Sequence, residues 1–201
     1  MKKNSATGIL IAGGKATRLG GRDKGLLMID GEKCIERILA AMQNLVGEII
    51  IIANSPAYDY LGLKVHADII PGKGPAGGIY TGLHYSQTDD NLVAACDMPF
   101  VTSALLEFIL SHRNSKHQAI IPSVDGALQP LCACYSKSMS DNLLHCINDG
   151  LYKMKTIITH FDFKELPVDE TLPFFHPRLF ANINTVDDFQ SVTKTPAPHE
   201  S

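Results

Sequence analysis

Three short apolar segments constrain the fold of this chain more than any other feature of its sequence. Residues 8–12, 48–53 and 92–96 are almost uninterrupted apolar runs, which are typical of strands buried on both faces of a sheet. Between the first two runs, apolar residues recur at helical spacing: Ile35, Ile38, Leu39, Met42 and Leu45. A strand, an amphipathic helix and a second strand in this order indicate a βαβ unit, and therefore a parallel sheet covered by helices.

The remainder of the chain continues this alternation of short strands and helices. A glycine- and proline-rich segment at 71–78 is predicted to lead into a helix through Tyr85, and segments 118–122, 128–135 and 179–184 are predicted as strands. We therefore predict a three-layer αβα Rossmann-like domain. Its central sheet is expected to be mostly parallel, with 128–135 as an added antiparallel strand.

Domain organisation and composition exclude several classes of protein. Residues 1–193 are predicted to form a single domain, and 194–201 a flexible tail. The chain has 18 basic and 21 acidic residues, a net charge of −3, so neither a nucleic-acid binder nor an acidic-membrane binder is expected. No apolar run approaches the ~18 residues of a membrane span. The five cysteines include no CxxC pair, and they are predicted to be free thiols of a cytoplasmic protein.

The segment that follows the first predicted strand has the composition of an anion-binding loop. Its glycines, beginning with Gly13 and Gly14, are interspersed with the cationic residues Lys15, Arg18 and Lys24. Glycine allows backbone N–H groups to turn towards an anion, and open α/β sheets bind ligands beyond the carboxyl ends of their strands. We predict a polyphosphate cradle here; a solvated basic loop is the alternative.

Two aspartates follow other predicted strands. Asp97 ends an apolar strand, where an unpaired carboxylate would be costly, so we predict that it holds Mg²⁺ facing a triphosphate. The alternative is a structural cap on the helix that begins near Ser103. Asp68 occupies the equivalent position after its own strand and is predicted to accept hydrogen bonds from a base or a sugar. A turn-forming role is the alternative for Asp68.

Two further motifs suggest contacts with a heterocycle. Asn182 and Asn184 are predicted to share one face of an extended segment, where paired amides suit rings rich in N–H and C=O groups. Helix capping is the alternative. Residues 72–77 formally match the dinucleotide-binding pattern G-x-G-x-x-G, but Pro75 lies inside the motif and the preceding strand is not the first. We therefore predict a close approach of backbone to a base or ribose rather than an NAD site.

Several segments, taken in chain order, carry a resemblance to one known family: Ile11-Ala12-Gly13-Gly14, Arg18-Leu19-Gly20, Asp23-Lys24-Gly25-Leu26, Ala53-Asn54, Gly74-Pro75-Ala76-Gly77, Cys96-Asp97-Met98-Pro99 and Asn182-Ile183-Asn184-Thr185. Together they resemble the molybdenum cofactor guanylyltransferases, the MobA family of Rossmann-like nucleotidyltransferases, along nearly the whole chain. The chain departs from the family pattern at Gly31-Glu32-Lys33-Cys34, where relatives often read Gly-x-Pro-Leu, and at Ile52, where some carry Asn.

The resemblance implies roles for individual residues. Lys24, Arg18 and Asp97 are implied to be catalytic, with Asp97 as the Mg²⁺ ligand, and a guanine contact is expected at Asn54. The Asn182–Asn184 segment is implied to lie on the pterin side of the cleft. The full set implied to bind substrates is Ile11, Ala12, Gly13, Gly14, Lys15, Lys24, Asn54, Asp68, Gly77, Asp97, Asn182 and Asn184.

The family resemblance also implies a reaction and its partners. The expected activity is transfer of GMP from GTP to the phosphate of molybdopterin, which forms the guanine dinucleotide cofactor and pyrophosphate. GTP and molybdopterin are the expected partners, with transient contacts to other cofactor-biosynthesis proteins and molybdoenzyme apoproteins, and a monomer or weak oligomer is expected. A CTP-dependent cytidylyltransferase, a sugar-phosphate nucleotidyltransferase and a non-catalytic GTP-binding protein of this fold are the alternatives. Gly13-Gly14 favours guanine, because cytidylyl relatives usually have Ala-Gly there.

Overall fold

The computed structural model describes residues 6–12, 23–183 and 188, and these form an α/β structure. The main sheet has eight strands: β1 (Ala6–Ile11), β4 (Glu48–Ile52), β5 (Lys64–His66), β6 (Asp90–Ala95), β7 (Ala119–Val124), β8 (Ala127–Leu128), β9 (Cys132–Ser136) and β10 (Phe163–Pro167). A separate hairpin is formed by β2 (Met28–Ile29) and β3 (Glu32–Lys33). The α-helices are α1 (Cys34–Met42), α2 (Gly74–Tyr85), α3 (Ser103–Ser111), α4 (Ser140–Asn148) and α5 (Met154–Ile157).

The central strand of the sheet is β1. The strand order is β10-β7-β9-β6-β1-β4-β5, with β8 paired to β7. β1 runs parallel to both β4 and β6, β4 is parallel to β5, and β10 is parallel to β7. Only β9 runs antiparallel to both of its neighbours along this order, β6 and β7. The predicted mostly parallel sheet with an added antiparallel strand is therefore confirmed.

Helices cover both faces of the sheet, because neighbouring residues of each buried strand point to opposite sides. On one side Leu10 packs in an apolar cluster with Ile38 of α1 and Leu106 of α3. On the other side Ile9 packs with Ile79 of α2 and Leu143 of α4. These two clusters account for the uninterrupted apolar runs of the central strands and confirm the three-layer arrangement.

Three details of the predicted elements are wrong. The strand predicted at 128–135 is divided into β8 and β9, because Pro130 has no backbone N–H to donate to a ladder. The strand predicted near 179–184 is irregular over the described residues 179–183. The edge strand β10 was not predicted, because its five residues form neither a continuous apolar run nor an alternation of apolar and polar residues.

Parts of the sequence-based predictions fall on residues that the structure does not describe. These include the proposed tail at 194–201, which stays a prediction, as does the extent of the single domain over 1–193. Within the described residues, no helix is both long enough and apolar enough to cross a membrane. The five cysteines all lie within the described residues, and none of them forms a disulfide there.

Helix α2 lies so close to β1 that there is no room for a side chain at position 82, which is glycine. A Cβ atom built on Gly82 lies 2.5 Å from Ile9 Cγ2 and 2.8 Å from Ile9 Cδ1. In an ordinary helix, replacing glycine by alanine raises the free energy of unfolding by about 0.5–1 kcal/mol. Here we expect Gly82→Ala to lower it by about 1–3 kcal/mol, because the buried Ile9 side chain has no free space to move into. Urea denaturation measures this, and a more stable variant would contradict the packing described.

The buried thiols give a pH-dependent prediction. Burial raises the pKa of Cys34, Cys132 and Cys134 to about 12, whereas a thiol in an unfolded chain ionises near pH 8.5. These thiols therefore contribute stability that is complete below about pH 8.5 and is lost as the pH rises towards 12. At pH 8.5 we expect iodoacetamide to modify only the half-buried Cys146 among these four, as mass spectrometry of peptides would detect. Urea-unfolded protein, in which all four should react, is the control.

Candidate active site at the carboxyl ends of the strands

The register of the parallel strands aligns four strand ends in one row. Ile11 of β1 is paired with Ile52 of β4 and with Ala95 of β6, and Ile52 is paired with His66 of β5. Hydrogen bonds continue one step beyond the strands, since the Ala12 amide donates to the Ile52 carbonyl at 2.9 Å. The residues that leave these strands therefore come together at one edge of the sheet.

A cavity of about 650 Å³ opens at this edge. Its floor includes Ile11 and Ala12 at the end of β1, and its walls include the Lys24 turn and the start of α2. Gly74, Pro75 and Gly78 supply the α2 wall. A Cβ atom on Gly78 would lie 3.1 Å from Ile11 Cγ2, so the helix can lie this close to the strand end because position 78 is glycine.

A lysine and an aspartate face each other at the centre of the cavity wall. Lys24 Nζ donates to Asp97 Oδ2 at 3.1 Å, and the two side chains are only 21% and 17% exposed. The second oxygen, Asp97 Oδ1, is buried without a hydrogen-bond partner among the described residues. A buried, unpaired carboxylate oxygen is costly, and this one therefore points to a cation or a donor supplied by a ligand.

A second polar pair lies across the cavity, at the ends of β4 and β5. Asn54 Nδ2 donates to Asp68 Oδ2 at 2.9 Å, and the Asp68 amide donates back to Asn54 Oδ1 at 2.9 Å. The reciprocal bonds fix the orientation of the Asp68 carboxylate, while its Oδ1 atom is buried and, within the described chain, has no partner. Asp68 thus presents a fixed acceptor, which fits a hydrogen-bond donor on a ligand better than a turn-forming role.

The alternative role considered for Asp97 is excluded by the geometry of α3. The cap of this helix is Thr102, whose hydroxyl accepts from the Leu105 amide at 3.3 Å. Asp97 is instead connected to the later part of the chain through its backbone, because the Ile183 amide donates to the Asp97 carbonyl at 2.9 Å. The Asp97 side chain therefore has no capping function and is available to a ligand.

The structure brings together six of the residues predicted from the sequence. Those that line the cavity are Ile11, Ala12, Lys24, Asn54, Asp68 and Asp97. Gly77 does not line it: a Cβ atom there would lie 3.0 Å from the Ile70 carbonyl oxygen, so Gly77 packs against the preceding loop and Gly78 faces the cavity instead. Asn182 is exposed, on an irregular segment beside Asp97 rather than on the predicted extended strand.

The remaining predicted residues lie outside the part of the chain that the structure describes: Gly13, Gly14, Lys15, Arg18 and Asn184. Sequence analysis did not single out Asp23, Ser55 or Leu131, although they also line the cavity. For Asp23 a signal was available, because it directly precedes Lys24 in the segment Asp23-Lys24-Gly25-Leu26 that carries the family resemblance. Over residues 6–12, 23–183 and 188, no group of three or more His, Cys, Asp or Glu side chains is arranged to hold a metal ion.

Comparisons with known proteins identify the family of this fold. Residues 8–164 match the model of the MobA-like NTP transferase domain. A probable molybdenum cofactor guanylyltransferase of Clostridium perfringens (strain ATCC 13124) is 39% identical, over 96% of this chain and 98% of the relative. The molybdenum cofactor guanylyltransferase of Desulfosudis oleivorans is 28% identical, over 93% and 94% of the two chains.

The fold of a solved protein structure is also similar over nearly the full length of this chain. The molybdopterin-guanine dinucleotide biosynthesis protein A of Archaeoglobus fulgidus superposes with a TM-score of 0.77 and 27% sequence identity, over 94% of this chain and 97% of that one. The similarity therefore extends over nearly the full length of both chains and includes the strand ends that form the cavity.

Proposed function

This chain belongs to the MobA-like NTP transferase family, and we propose that it transfers GMP from GTP to the terminal phosphate of molybdopterin. The observation that carries the proposal is a pair of buried carboxylate oxygens, on Asp97 and Asp68, that no described residue pairs with and that lie at one cavity beside the Lys24 ammonium. A cation, a cationic side chain and a fixed acceptor together suit a nucleoside triphosphate. The names of the relatives support guanine as the base and molybdopterin as the acceptor.

The Asp97 carboxylate is the proposed Mg²⁺ ligand. Mg²⁺ prefers oxygen ligands and is usually held by one or two carboxylates together with substrate phosphates and water. Asp97 fits this requirement, because Lys24 binds Oδ2 while the buried Oδ1 atom has no partner in the described part of the chain. When bound, Mg²⁺ would supply neutralisation of the negative charge on the phosphates. Lys24 adds a second positive charge from the protein itself and binds the phosphate chain.

The Asn54–Asp68 pair is proposed to bind the nucleoside. Asp68 Oδ1 accepts a hydrogen bond from a donor of the guanine base or of the ribose, and Asn54 keeps the carboxylate in the required orientation through its two 2.9 Å bonds. The two pairs lie on opposite sides of the β1 end, so that one side of the cavity binds phosphates and the other binds the nucleoside. Gly13, Gly14, Lys15 and Arg18 are proposed to complete the phosphate side.

The proposed reaction requires no nucleophile from the protein. An oxygen of the terminal phosphate of molybdopterin attacks the α-phosphorus of GTP, a new P–O bond forms, and the bond to the β-phosphate oxygen breaks to release pyrophosphate. Both reactants are anions, so the contribution of the protein is to bring them together and to stabilise the charge that moves onto the leaving group. Lys24 performs the second task in this proposal. Asn182 and Asn184 are proposed to lie on the acceptor side, and the protein is proposed to act in the cytoplasm.

The Lys24–Asp97 pair gives the first functional prediction. We expect Lys24→Ala and Asp97→Asn each to lower kcat by about 10²-fold or more, because each removes charge stabilisation in a partly buried site. The assay is pyrophosphate release with molybdopterin and Mg²⁺, with GTP and CTP compared in parallel. Lys64→Ala is the matched control, since Lys64 pairs with Glu48 at 2.7 Å on the exposed surface of the sheet edge. Normal turnover in either cavity variant, or a preference for CTP, would contradict the proposal.

The Asn54–Asp68 pair gives a separate prediction about binding. Asn54→Ala removes both bonds to Asp68, so we expect the Kd for GTP to rise by about tenfold, while the KM for molybdopterin changes by less than twofold. Asn114→Ala is the control, because Asn114 also ties an exposed loop with side-chain hydrogen bonds but lies away from the cavity. Titration calorimetry measures the Kd for GTP of each variant, and the pyrophosphate-release assay measures the KM for molybdopterin. An equal effect of the two substitutions would show that Asn54 acts only on loop structure.

A further inference from the structure

A buried tyrosine hydroxyl reaches the turn that carries Lys24. Tyr58 lies in the 3-10 helix Pro56–Leu61 that follows β4, and its side chain is fully buried. Its hydroxyl donates to Asp23 Oδ1 in a short hydrogen bond. Burial raises the pKa of Tyr58 above its usual range, and the neighbouring Cys96 thiol and Asp23 carboxylate raise it further. The hydroxyl therefore stays protonated and acts as a donor at all ordinary pH values.

Asp23 connects this tyrosine to the phosphate-binding lysine. The same oxygen, Asp23 Oδ1, also accepts from the Gly25 amide at 3.1 Å, so that Asp23 caps the 3-10 turn Lys24–Leu26. The turn is closed by the Leu27 amide, which donates to the Lys24 carbonyl at 3.2 Å. With two donors on one carboxylate oxygen, the orientation of Asp23, and with it the backbone of the turn, is fixed.

The tyrosine can approach only because residue 25 has no side chain. A Cβ atom built on Gly25 would lie 2.6 Å from the Tyr58 hydroxyl oxygen and 3.0 Å from Cys96 Sγ. Cys96 directly precedes Asp97, so the Lys24 turn, the Tyr58 ring and the end of β6 are packed against one another. The buried ring and hydroxyl thus set the distance between the turn and the strand end.

We propose that Tyr58 is a positioning residue for the transfer reaction, which fixes Lys24 relative to Asp97 through the Asp23 carboxylate. The inference rests on the proposed function, in which Lys24 and Asp97 bind the triphosphate and its metal. Tyr58 does not line the cavity, and it contributes no group to the substrate. Its effect is to hold the Lys24 ammonium at 3.1 Å from Asp97 Oδ2, where both can meet the same phosphate chain.

Comparison of two tyrosines of the same 3-10 helix tests the proposal. Tyr58→Phe removes only the hydroxyl, and we expect kcat/KM for GTP to fall about tenfold, since small displacements of a binding group lower rates strongly. The KM for molybdopterin should change by less than twofold. Tyr60→Phe is the control: the Tyr60 hydroxyl donates to Glu36 at 2.8 Å on the surface, and its loss should leave kcat/KM within twofold of the original value. An unchanged kcat/KM in Tyr58→Phe would overturn the proposal.

A double-mutant cycle separates positioning of Lys24 from a general structural effect. If Tyr58 acts through Lys24, adding Tyr58→Phe to Lys24→Ala lowers kcat/KM by less than twofold further. A tenfold fall in both backgrounds would show that Tyr58 acts by another route, and the inference would be wrong while the proposed function stands. If Lys24→Ala itself retains full activity, or the original protein releases no pyrophosphate from GTP, the proposed function fails and the inference falls with it.

Substitution of Asp23 keeps the test valid if Tyr58→Phe does not fold, which thermal denaturation would reveal. Asn retains a side-chain oxygen that can cap the turn and accept from Tyr58, whereas Ala retains neither function. We therefore expect kcat/KM to be about fivefold higher in Asp23→Asn than in Asp23→Ala, when both variants are assayed well below their melting temperatures. Equal values of kcat/KM in the two variants would overturn the proposal.

Discussion

The site depends above all on the register of four parallel strands. Because Ile11, Ile52 and Ala95 lie in one row, the residues one or two positions further along each strand are brought to the same edge, although they are far apart in the sequence. No side-chain interaction is needed to bring them together. The buried apolar ladder of the sheet fixes the backbone, and a shift of one residue would turn every side chain to the opposite face.

The site retains polar groups that folding alone would not favour. Asp97 and Asp68 each keep one carboxylate oxygen buried and unpaired among the described residues, at a cost in stability that their single hydrogen-bonded oxygens offset only in part. Burial of the two apolar clusters on either side of the sheet stabilises the fold enough to offset this cost. In the proposed function the same oxygens would gain partners from a cation and a nucleoside, so that binding would remove a cost that folding has already imposed.

The sequence predicted the parts of the structure that depend on local patterns. Apolar runs identified β1, β4 and β6. Lys24 and Asp97 follow β1 and β6 in the sequence, and Asp68 follows the short strand β5. It did not predict β10, whose five residues have neither an apolar run nor an alternating pattern, nor the irregular course of residues 179–183. The contact between Tyr58 and Asp23 could not be predicted either, because the two residues are 35 positions apart and meet only where the segment after β4 folds back over the Lys24 turn.

Glycine connects the packing of the molecule to the shape of its cavity. At Gly82 and Gly78 the missing side chains let α2 lie against Ile9 and Ile11, so this helix forms one wall directly beside the end of β1. At Gly25 the missing side chain admits the Tyr58 hydroxyl beneath the opposite wall. A Cβ atom at any of these positions would lie 3.1 Å or less from a neighbouring side-chain atom, so the helix or the turn would have to move. The shape of the cavity therefore depends on these glycine positions as well as on the charged groups that line it.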